Sequence, residues 1–222
     1  MEAYTSFARV YDTFMEYTTK AYASEKSPLE LSFIPIHPGD ILSYGGYHFE
    51  VKLLKGHTFG QCGLYEPEKK LMFVGDQLMT TIVPIVGTQE TDLGMLKCYL
   101  DSLGDLKHNY KDCYFLPCHY GEIRNVEKEV NRIILGYLEK CEIMKHVLEE
   151  AGTALTTRDI GVRTYGRSQG PPDYAHFASC TYIWAKTFSC MEYMMGEGFV
   201  ERSERDGIIY WKAPSIHFEN NR

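Results

Sequence analysis

The pattern of apolar and polar positions changes character several times along the 222 residues. Tyr4, Phe7, Val10, Tyr11, Phe14 and Tyr17 recur mostly at steps of three or four, which predicts an amphipathic helix ending before Ser27-Pro28. From Leu31 the pattern shortens into β-rich pieces. Leu31–Ile36, Ile41–Tyr44 and Tyr47–Leu54, separated by Pro38-Gly39-Asp40 and Gly45-Gly46 turns, predict a meander. Leu64-Tyr65 and Leu71–Val74 flank the charged turn Glu66–Lys70 and predict another hairpin, closed by Gly75-Asp76.

Leu93, Leu96, Leu100 and Leu103 predict a helix, and Cys113–Leu116 a short buried strand. Between Glu122 and Glu150, a stripe from Ile123 through Val130, Ile133 and Tyr137 to Leu148 predicts a long amphipathic helix with a core-packing face. Beyond Gly152 the order is helix, helix, hairpin: a helix capped by Thr157 and running to Tyr165, a second from Tyr174 to Met195, then Phe199–Arg202 and Ile208–Lys212 across an Asp206-Gly207 turn. That order is the grammar of a winged helix. Two domains are expected, residues 1–140 and 141–222.

Composition narrows the function classes. The longest apolar runs, such as Ile82–Val86, fall far short of the roughly 20 residues that span a bilayer. The first twenty residues carry charges at Glu2, Arg9, Asp12 and Glu16 and lack an apolar signal core, so a cytoplasmic location is expected. The seven cysteines are scattered without a CxxC pair, which suits neither a disulfide framework nor a zinc ribbon; most should be small buried residues. A net charge of −7 argues against sequence-independent attraction to phosphates. Lys186 is the single Lys or Arg in the second helix of the winged-helix segment, so packing or dimerisation is favoured over DNA binding there.

Three segments place a metal-binding side chain beside a glycine at a strand end: Gly56-His57-Thr58-Phe59-Gly60, Phe73-Val74-Gly75-Asp76 and Leu116-Pro117-Cys118-His119-Tyr120-Gly121. Imidazole and carboxylate suit Zn²⁺ and related divalent ions, and glycine lets loops approach closely. Each segment alone is more often structural: a hydrogen-bonded histidine or a simple turn.

In this order and spacing the three segments resemble the second half of the metallo-β-lactamase superfamily signature. The resemblance implies a partial αββα sandwich in an α/β (α+β) chain, followed by a winged-helix appendix like that of a bacterial hydrolase branch. It also implies zinc as cofactor, with His57 on a first metal, Asp76 bridging two metals and His119 on the second. A small-molecule ester, thioester or phosphodiester would be the substrate.

The family's His-x-His-x-Asp-His motif does not occur in the sequence. Phe59 stands where proline is common, and Cys118 where glycine is common. Counting donors leaves about two per metal, against the three or more that zinc sites usually have. Two expectations follow: a hydrolase whose metal site is incomplete in this chain, or a non-catalytic scaffold, truncated or degenerate, that acts in oligomerisation. A homodimer, or a larger closed oligomer, is expected to bury part of the sheet or the winged helix, because a chain without most of the first half should leave part of a sheet face uncovered.

Overall fold

The computed structural model describes residues 35–86, 94–166 and 174–214, with side chains of the last segment from Tyr182 onward. The helix expected from Tyr4 to Tyr17 lies outside the described residues, as does most of Leu31–Ile36.

Five strands form one sheet in chain order: β1 (Ile41–Tyr44), β2 (Tyr47–Leu53), β3 (Cys62–Glu66), β4 (Leu71–Gly75) and β5 (Tyr114–Pro117). The first four are antiparallel neighbours, while β5 runs parallel to β4. A parallel neighbour needs a long crossover, and here the helix α1 (Met95–Asn109) lies on it. The β4 sequence Leu-Met-Phe-Val is apolar throughout because both of its faces are buried: Met72 and Val74 on one side, Phe73 on the other.

Helix α2 (Val126–Ala151) starts after Asn125, whose side chain accepts from the Lys128 amide, and stops at Gly152 in the left-handed conformation. It begins three residues after the start of the apolar stripe, because Ile123 bridges to Phe115 at the sheet edge instead. Its stripe Val126, Val130, Ile133, Tyr137, Cys141, Met144 and Leu148 is buried, as the periodicity requires. The expected boundary at 140/141 falls inside this helix, and one buried cluster runs from Met72 and Phe115 through α2 to Met191 and Trp211.

A two-residue strand, β6 (Leu155–Thr156), leads into α3 (Thr157–Tyr165). The cap is Thr156 rather than Thr157: its hydroxyl accepts from the Asp159 amide, and Asp159 reaches back to the Thr156 amide. Helix α4 (Tyr174–Gly196) follows, then β7 (Glu201–Arg205) and β8 (Ile208–Lys212), with a second sheet in the order β6-β8-β7. The hairpin pairs symmetrically about Asp206-Gly207, both at positive φ. No described helix is long and apolar enough to cross a membrane.

The apolar sheet face expected to lie open is buried at Phe49, Phe73 and Leu116. Exposed apolar side chains on the sheet include Ile41 and Tyr44 of the edge strand, 59% and 72% accessible, and Leu53 of β2, 40% accessible.

Candidate metal centre at the carboxyl ends of two strands

The strands β4 and β5 are parallel, so their carboxyl ends open at the same edge of the sheet. Asp76 follows β4 directly, and His119 follows β5 after Cys118. His57 comes from the loop after β2. The amide of Cys118 donates to the Gly75 carbonyl at 3.1 Å, which ties the two strand ends together.

Two glycines permit this convergence. At Gly56, with φ +148°, a Cβ would sit 2.7 Å from the backbone Cα of Tyr99, so no other residue lets this loop lie against α1. At Gly75, with φ +56°, a Cβ would meet the Gln61 amide nitrogen at 2.5 Å. That nitrogen is needed where it is, donating to the Val74 carbonyl at 2.9 Å.

The three residues singled out from the sequence come together around the carboxylate. His57 Nε2 lies 3.6 Å from Asp76 Oδ2, and His119 Nε2 lies 3.6 Å from Asp76 Oδ1. Each imidazole thus faces a different oxygen of one carboxylate. Asp76 Oδ1 is buried and has no hydrogen-bond partner. A buried carboxylate oxygen left unpaired is costly, so this atom is suited to meet a cation.

The other nitrogen of His57 sharpens the point. Nδ1 lies 2.8 Å from the Ile85 carbonyl oxygen, which can only accept, so Nδ1 carries the hydrogen. In the neutral ring Nε2 is then a bare lone pair aimed at an anionic oxygen. A proton or a metal ion must lie between them to make the contact favourable. Among the described residues no three His, Cys, Asp or Glu side chains gather around one metal position. What the described residues bring together is one carboxylate with an imidazole nitrogen facing each of its oxygens.

Sequence reasoning missed Gln77. It is fully buried, and its amide nitrogen donates to the Lys55 carbonyl at 3.1 Å and to Ser102 Oγ at 3.0 Å, while its own backbone carbonyl accepts from Tyr99 OH at 2.7 Å. One residue thereby joins the loop bearing His57, the strand end bearing Asp76 and helix α1. Its signal was a long polar residue between Gly75-Asp76 and the apolar Leu78-Met79. Burial pushes the Tyr99 hydroxyl far above its ordinary range, so it remains a donor. Cys118 Sγ lies against Gly75, 4.0 Å from where a Cβ would be.

Three other described histidines are engaged elsewhere. The His37 amide donates to Asp40, His48 pairs with Ser43 Oγ across β1 and β2, and His146 faces Glu149 and Glu150 on α2. Lys186 points its ammonium at the Val83 carbonyl, 3.0 Å away. Among the described residues, Cys113, Cys141 and Cys190 are buried, and Cys62, Cys98 and Cys118 are half-buried.

Comparison with known proteins agrees with this architecture. No family model matches the chain. A metallo-β-lactamase family protein from Thermus thermophilus superposes with a TM-score of 0.69 at 21% identity, covering 94% of this chain and 67% of that one. A β-lactamase domain protein from Burkholderia ambifaria gives the same TM-score at 19% identity, over 82% of this chain and 53% of that one. Hydroxyacylglutathione hydrolase GloC from Haemophilus influenzae is 50% identical over 40 residues, which are 18% of this chain and 19% of that protein. The chain therefore has the metallo-β-lactamase fold, as the resemblance implied, and spans about half of the Burkholderia protein and a fifth of GloC in these matches.

Proposed function

We propose that the chain belongs to a line of metal-dependent hydrolases in which His57, Asp76 and His119 supply one side of a two-metal site, with zinc the expected ion. The observation that carries the reading is the shared carboxylate: two imidazole nitrogens face its two oxygens at 3.6 Å, and Oδ1 is buried without a partner. A bound divalent ion supplies Lewis-acid polarisation and lowers the pKa of water from about 15.7 towards 7. The chain's own contribution is positional. Ile85 sets the hydrogen of His57 on Nδ1, Gln77 joins the loops, and Gly75 keeps the strand end close to Cys118.

The substrate class is an ester, thioester or phosphodiester. Of these, the thioester is favoured by the short match to a hydroxyacylglutathione hydrolase. Donor counting favours a second reading, a scaffold that keeps the fold and assembles without turnover, since full occupancy calls for donors beyond these three. The β1 edge, which no described strand pairs and where Ile41 and Tyr44 are exposed, is the surface on which a homodimer would form. A stable 25.6 kDa species in light scattering would remove that part of the proposal.

Metal analysis separates the two readings. Zinc, iron or manganese retained by the full chain and lost in His57→Ala supports the metal site, and metal-dependent thioester hydrolysis abolished by the same substitution supports catalysis. A chain that binds none of these ions leaves the scaffold reading.

A further inference from the structure

The segment Ile82–Val86 has neither helix nor strand, yet all five of its carbonyls are met by side chains. Ile82 accepts from Arg132 at 3.3 Å, Val83 from Lys186 at 3.0 Å, Pro84 from Tyr137 at 2.5 Å, Ile85 from His57 at 2.8 Å and Val86 from Ser189 at 3.0 Å. Irregular backbone within a packed chain must find such partners, but here they come from three directions: α2, α4 and the candidate site itself. Val83 and Val86, the two carbonyls held by α4, bracket the one that receives His57.

We propose that α4 is a positioning element for the metal centre: Lys186 and Ser189 hold the Ile82–Val86 segment so that the Ile85 carbonyl fixes the ring orientation and tautomer of His57. The C-terminal helices then have a task other than binding nucleic acid. Lys186 is the stronger of the two grips. Its ammonium has three hydrogens, whereas Ser189 shares its single hydrogen between Val86 and Ala185, each at 3.0 Å. Pro84 reinforces the hold by fixing its own φ. With the carbonyls on both sides of Pro84-Ile85 anchored, the Ile85 carbonyl has little freedom to turn away. A partner that sets the tautomer of a ligating histidine typically changes metal affinity about 10–100-fold when it is lost, and a carbonyl held from behind transmits a share of that.

The metal arm of the test rests on the function proposed above; the tautomer arm does not. In the full chain, competition with a zinc chelator should show affinity lowered about 10-fold in Lys186→Met, largely restored in Lys186→Arg and lowered less in Ser189→Ala. Thr187→Ala is the control, because the Thr187 hydroxyl is buried but donates within its own helix to Ile183. It should lower the melting temperature and leave zinc affinity unchanged. In the metal-free chain, long-range ¹H–¹⁵N correlation should show His57 with its hydrogen on Nδ1, and Lys186→Met should add the Nε2 tautomer. A wild-type chain that binds no zinc overturns the proposed function while the tautomer spectra still decide this inference. An unchanged tautomer in both Lys186→Met and Ser189→Ala overturns it, as does a zinc affinity that merely follows the melting temperature across all variants. Should Lys186→Met not fold, Ser189→Ala carries both measurements.

Discussion

The two sides of the candidate centre are built differently. His57 is 28% exposed and held at Nδ1 by a carbonyl that is itself part of an anchored segment. His119 is 62% exposed, follows a strand end by two residues, and stands beside Tyr120, whose φ of +67° is left-handed. Asp76, 27% exposed, faces both. If the proposed site binds an ion, His57 offers a ring already held at Nδ1, whereas fixing the more exposed His119 would carry a side-chain entropy cost of up to about 2 kcal/mol. The difference teaches that a pair of histidines equivalent in a motif need not be equivalent as ligands.

Removing the shared group should erase the distinction. Asp76→Ala is expected to lower zinc affinity by more than about 100-fold, because a charged donor is lost from both positions at once. Equilibrium dialysis against zinc reads this, and far-ultraviolet circular dichroism should stay unchanged.

Substituting the histidines singly sharpens it. His57→Ala should weaken zinc binding several-fold more than His119→Ala, since only the former loses a donor whose orientation is already set. Equal losses in a chelator competition would show that the anchoring of His57 contributes nothing.

The smallest effect concerns the His119 side alone. A side chain in the left-handed region costs roughly 1–2 kcal/mol, while glycine adds about 0.5–1 kcal/mol of chain entropy to be lost. Tyr120→Gly should therefore raise stability by up to about 1 kcal/mol in urea unfolding. A fall in stability would mean that the half-exposed Tyr120 ring, 6.4 Å from that of His119, contributes more than the strain removes.

Much of the frame was legible in the sequence for a local reason. The stripe of α2 follows the helical period, and the β7–β8 hairpin follows from alternation about Asp206-Gly207. The His57, Asp76 and His119 segments could be picked out because glycine beside a potential ligand is a local feature. Boundaries were less legible. Whether Ile123 opens a helix or bridges to Phe115 depends on a partner strand eight residues earlier. Thr156 rather than Thr157 caps α3 because Thr156 also pairs with Tyr210 of β8.

The sequence by itself determined the periodicities, the turns, the absence of the His-x-His-x-Asp-His motif and which side chains could ligate a metal, since these are properties of residue type and spacing. Tertiary structure alone decided that His57 and His119 face the one carboxylate of Asp76, that Asp76 Oδ1 is left without a hydrogen bond and that His57 bears its hydrogen on Nδ1. It also decided the role of the apolar run Ile82–Val86. From composition that run is only a stretch too short to span a bilayer. In the fold its carbonyls receive Lys186 and Ser189, each 103 residues away in the chain, and a hydrogen bond between such distant residues exists only once packing has brought them together.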